Sequence, residues 1–223
     1  MTHPFDDPLQ RLERLLKDAD GRFGEVYGPL VVLKMAITIA AYDTQRDLGP
    51  AFGFTTQGRP TEPQMLLQCE LLYFFSHLAL RSVVAEGLTE TQAKKLQAFL
   101  GPWIAWTAVN AFCMHWPEHL KRKMTDEAYH KLNDAEMDYA ECRGLVEPKD
   151  PLNANTLIGR LAANAMALWG RAADDPAAFA VAAATQKAVA AMRLNELARD
   201  VARVIDLVDV EWIEDFWRQS GGA

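Results

Sequence analysis

Glu70, Phe74, His77 and Arg81 follow one another at spacings of four, three and four residues. On a helix, at about 100° per residue, they fall within about 60° of one another and form one stripe. Around them, Leu71, Leu72, Tyr73, Phe75, Leu78 and Leu80 make the segment apolar on nearly every face. The stripe is therefore expected inside the protein, where its polar atoms must find partners. A carboxylate and an imidazole in a bundle core are residue types that bind iron, manganese or zinc. Glu70 and His77 are candidate metal ligands on that ground. The same residues also fit a buried network of hydrogen bonds and ion pairs with neighbouring helices.

Glu127-x-x-His130 has the spacing that ferritin-like di-metal bundles use, and those bundles use it twice. Here it occurs once. Ala128, Leu132, Ala135 and Tyr139 lie on the opposite side of that helix. Glu127 and His130, continued by Asp134 and Glu141, are thus expected on a solvated face, where early acidic residues suit the helix dipole. The candidate metal set is Glu70, His77, Glu127 and His130, with Glu118 and His119 as further donors. Glu70-x6-His77 followed by His130-x3-Asp134 also resembles part of the ligand pattern of haem-oxygenase-like di-iron oxidases, which would imply a non-haem iron enzyme. That pattern has a further His three residues after the carboxylate. This chain has Met137 there, and it is not assigned to the family.

Other motifs carry less. His115-Trp-Pro-Glu-His119 spaces two imidazoles at i and i+4, but Pro117 interrupts the helix that would align them. There is no Gly-x-Ser-x-Gly elbow and no phosphate-binding glycine loop. Glu211-x-x-Glu214-Asp215 resembles a fragment of the acidic motifs of all-α nucleotide pyrophosphatases, without a second acidic helix pair at a suitable distance. Trp212 and Phe216, one turn apart, either anchor a partner or pack back on the body. Trp103, Trp106, Phe74 and Tyr73 could line a ligand pocket or fill a core.

The chain has 223 residues, is 50% hydrophobic and 24% charged, and carries a net charge of −7. That excludes a disordered chain and argues against a nucleic-acid binder. Cys69, Cys113 and Cys142 are odd in number and lack metal spacing, as expected of reduced thiols in the cytoplasm. The first eight residues have neither a basic start nor an apolar run, so no secretory signal is read there. Two apolar runs, 30–42 and 103–116, are interrupted by Lys34 and by Asn110 and His115, and fall short of a membrane span.

The elements expected to position these residues are all helices. Asp7-Pro8 opens one, with Leu9, Leu12, Leu15 and Leu16 as its stripe, followed by a connector over 22–28. Pro29 opens an apolar, central helix to about Asp47, and 48–60 is a Gly/Pro loop. Capping boxes at Thr61-x-x-Gln64 and Thr89-x-x-Gln92 start two more helices, the second broken or kinked at Gly101-Pro102. Thr125, Asp150-Pro151 and Asp175-Pro176 start the rest, to about 143, 173 and 219, the last with or without a break. The sequence predicts one all-α domain over 1–223, a bundle of about seven or eight helices. Alanine makes up half of the stretch from Ala162 to Ala191, which suits either close packing within the chain or a contact between two copies.

Two functions follow as expectations. One is a non-enzymatic helical protein acting through self-association, as a homodimer, or through a protein partner, with no cofactor. The other is a metal-dependent enzyme using iron, manganese or zinc in the bundle core.

Overall fold

The computed structural model describes residues 22–54, 60–113, 117–209 and 211, and among them the chain is all-α, with seven helices and no strand. They are α1 (Arg22–Phe52), α2 (Glu62–Val84), α3 (Glu90–Cys113), α4 (Glu118–Ala140), α5 (Leu157–Leu168), α6 (Pro176–Ala191) and α7 (Leu194–Val204), followed by a short 3-10 turn, Ile205–Leu207. One apolar core draws buried residues from all seven. The expected helix over Leu9–Leu16 and the aromatic stretch 212–217 lie outside the described residues.

The centre of the fold is α2, which packs against α1, α3, α4, α5 and α7. Its sequence explains the position. Leu67, Leu71, Leu72, Phe74, Phe75, Ala79 and Val83 are completely buried over one half of the helix circumference, and Tyr73, Ser76 and His77, buried as well, carry the burial round most of the other half. Each large apolar side chain removed from water contributes about 1.5–3 kcal/mol, so a helix apolar all round is stable only when surrounded. Both capping boxes form. The Gln64 side chain accepts from the Thr61 backbone N–H at 2.8 Å, and Gln92 accepts from Thr89 in the same way. Thr156 and Asp175 cap α5 and α6, each hydroxyl or carboxylate accepting from a backbone N–H of the first turn.

Several expected boundaries move. Residues 22–28 are no connector: α1 starts at Arg22 and carries Pro29 inside it. An interior proline costs about 3 kcal/mol, and the burial of Val26 and Leu30 on either side offsets it. Nor does the helix stop at Asp47. It runs through Pro50 to Phe52, whose ring lies 4.4 Å from that of Trp169 and shares a cluster with Phe54. The loop expected at 48–60 therefore begins only at Gly53, where φ is +70°.

The break expected at Gly101-Pro102 is absent, because α3 continues to Cys113. Gly101 serves close approach instead: a Cβ there would sit 2.6 Å from the Tyr129 ring of α4. In the second half, α4 starts at Glu118 rather than after Thr125, and α5 at Leu157 rather than at Pro151. The final long helix is divided, with Arg193 at φ 51° separating α6 from α7. The alanine-rich helices pack on each other, α5 against α6, within the chain.

α1 also departs from expectation. Its Leu30, Leu33, Ile37 and Ala41 are buried against α2, α6 and α7, but Val32, Met35, Ile39 and Tyr42 are 40–55% exposed. Lys34, the charge within this apolar run, is on a buried face with its Nζ 4.2 Å from the centroid of the Trp103 ring.

Candidate functional site

The polar stripe of α2 faces α4 and α5, and its partners come from both. Tyr139 of α4 donates its hydroxyl to Glu70 Oε1 at 2.5 Å, and Asn164 of α5 donates its amide to the same oxygen at 2.8 Å. Asn164 reaches Asp138 Oδ2 as well, at 3.2 Å, and Asp138 is paired with Arg160 of α5. Two turns along, His77 Nδ1 lies 2.8 Å from Glu136 Oε2. A carboxylate only accepts, so the ring nitrogen donates. Arg81 closes the row by donating to the Cys142 carbonyl at 2.9 Å. Phe74 sits between the two polar pairs, edge-on to Tyr139 with centroids 5.6 Å apart.

Burial governs the electrostatics. Desolvation, reinforced by the Glu70 carboxylate, holds the Tyr139 phenol far above its ordinary pKa, so it remains a donor. Burial works against the charge on Arg160, and Asp138 more than offsets this, leaving the guanidinium pKa raised. Burial also pushes the Cys142 thiol up, which makes it a poor nucleophile. His77 Nε2 and the Ser76 hydroxyl are buried and without a hydrogen-bond partner among the described residues. Ser76 and Glu136 line a small cavity of about 20 Å³, room for one water and no organic substrate.

The expected metal set does not assemble. Glu70 and His77 face α4, as the stripe required, but each already holds a partner. Glu127 and His130 are exposed on the far side of α4, with Glu127 3.9 Å from Lys123. Asp134, Glu141 and His119 are exposed too. Among the described residues no three His, Cys, Asp or Glu side chains are grouped so as to hold a metal ion. His115 and the Glu118 side chain lie outside the described set. Of the aromatic residues that could line a pocket or fill a core, Trp103 packs on Phe99, and Phe74 on Phe75 and Tyr139.

Glu136, Asp138, Asn164 and Arg160 were not expected here. For Glu136 a signal existed: it is four residues after Leu132 and three before Tyr139, on the buried side of α4. Asn164 stands in an alanine-rich helix, where a lone amide at a packed position points to a specific acceptor.

The second region is apolar and lies on α1. Beside its exposed stripe runs a groove of about 500 Å³ between α1, α6 and α7, floored by small residues such as Ala36, Ala40, Ala184 and Ala188. Asp47 and Lys187 pair across it at 2.7 Å, and the lysine holds the Asp47 carboxyl below its usual pKa. Tyr42 stands near Cys69 of α2, which is partly buried and packed against the core, while Tyr42 itself is exposed. α1 is the one described helix long and apolar enough by composition to cross a membrane, over Gly24–Phe52. Compared with known proteins, the chain matches no family model, no curated protein and no solved structure.

Proposed function

We propose that this chain is a non-enzymatic helical protein that acts by self-association or by docking a helical partner, and that the exposed stripe of α1 is the docking surface. One observation carries the proposal: Val32, Met35, Ile39 and Tyr42 form a row of large, exposed apolar side chains on a helix whose other faces are packed. Rows of this kind on a folded surface mark interaction sites. The exposed run from Val32 to Tyr42 is about 15 Å long, half of a bilayer's hydrocarbon thickness, which favours a protein surface over a membrane span. Cys69 and Cys142 are free thiols, in keeping with a cytoplasmic setting, and the acidic balance favours a protein partner over nucleic acid. Of the residues that a metal enzyme would use, Glu70 and His77 are engaged and Glu127 and His130 face solvent.

The test is a Met35→Lys, Ile39→Lys double variant. Full helix content by circular dichroism, together with loss of the apolar-dye fluorescence that the wild type shows at high dilution, where the stripe is uncovered, is the expected result. Unfolding of the variant would place the stripe in the core and end the proposal.

A further inference from the structure

The stripe of α1 is longer than its four apolar members. Glu25, Gly28, Val32, Met35, Ile39, Tyr42 and Arg46 succeed one another at spacings of three, four, three, four, three and four residues. This is the a/d seam by which one helix packs along another. It begins with an exposed acid and ends with an exposed base.

Building on the docking surface proposed above, we infer that its occupant is a second copy of this chain, packed antiparallel across a two-fold axis near residue 37. In that register Met35 of each copy meets Ile39 of the other, and Val32 meets Tyr42, a small side chain against a large one. Arg46 then crosses Gly28, around which a Cβ would find open space, and extends toward Glu25. Each interface thus contains two symmetric Glu25–Arg46 pairs. A parallel arrangement would set Glu25 against Glu25 and Arg46 against Arg46, and like charges face each other at a cost. Arg46 is 61% exposed and, among the described residues, is held by its own neighbours, Asp43 at 2.8 Å and Asp47 at 3.7 Å, so it can turn outward. The alanine-floored groove beside the stripe receives the bulk of the partner's Met35 and Tyr42.

A second copy of α1, packed in this register, covers the whole row from Val32 to Tyr42.

The test is the molar mass of the full chain by light scattering and sedimentation equilibrium across a concentration series. The wild type is expected at twice 24.9 kDa. Arg46→Glu and Glu25→Arg should each weaken dimerisation at least tenfold, and the double swap Glu25→Arg, Arg46→Glu should restore it to within about threefold. A dimer that the single reversals weaken and the double swap does not rescue would overturn the antiparallel register, as would a dimer indifferent to all three. A monomeric wild type at tens of micromolar would overturn the second copy altogether. If that monomer still binds the apolar dye, the docking surface survives with a different occupant. Co-flotation with zwitterionic vesicles would identify that occupant as lipid. A monomer that neither binds dye nor floats would mean that the stripe is covered within its own chain, and both proposals would fall.

Discussion

Two helices carry a stripe that runs against its surroundings. On α2 a polar row, Glu70, His77 and Arg81, is set into an apolar helix and buried. On α1 an apolar row, Val32 to Tyr42, is left in solvent. The first largely solves a satisfaction problem, since Glu70, His77 through its Nδ1, and Arg81 each find a partner on α4, on α5 or in the segment after α4, with His77 Nε2 left over. The second leaves its problem unsolved within the described chain. Buried polar residues attract attention as candidate chemistry, yet here they mainly fix how three helices meet. A row of exposed apolar side chains looks like ordinary core in the sequence, and becomes informative only when nothing covers it.

The contrast can be broken at its buried end first. Phe74→Ala should cost about 3–5 kcal/mol, because the ring fills the space between Phe75 and Tyr139 and a cavity would remain. Chemical denaturation measures it, and a loss under about 1 kcal/mol would mean that α2 and α4 are not tightly packed. Asn164→Leu removes the donor shared by Glu70 and Asp138. It should cost about 1.5–3 kcal/mol, the range for losing hydrogen bonds to charged acceptors, which keep Tyr139 and Arg160 as their other partners. No change would show that the network is not formed in solution.

A smaller effect depends on pH. The Tyr139 phenol has a folded pKa above its unfolded value near 10. The stability linked to it is therefore fully present below about pH 10, and is lost as pH rises above that, where the unfolded chain releases the proton more readily. Denaturation midpoints measured from pH 8 to 11 should fall less steeply in Tyr139→Phe than in the wild type. Equal slopes would place that phenol in water.

How much of this was legible depended on whether the cause was local. The capping residues Thr61, Thr89 and Asp175 acted as read, since a cap is decided within four residues. So was the inward face of Glu70 and His77, which followed from helical period and apolar neighbours alone. Pro29, Pro50 and Pro102 misled, because the packing of Leu30, Phe52 and Ile104 outweighs a missing backbone bond, and that packing is long-range. The partners of Glu70 lie 69 and 94 residues away, beyond any spacing argument. The exposed row of α1 was hidden for the opposite reason. Apolar residues surround that helix in sequence, and only the positions of α2, α6 and α7 show which face they leave free.

The most direct measurement is the thermal midpoint of unfolding as a function of protein concentration, for the wild type and for Met35→Lys, Ile39→Lys. If the α1 row is a surface that docks another molecule of this chain, the wild-type Tm rises with concentration, because mass action stabilises whatever associates only when folded. The variant's Tm then stays flat and equals the wild-type value at high dilution. A variant Tm several degrees below the wild type at every dilution would show that these side chains belong to the core, and would contradict the account.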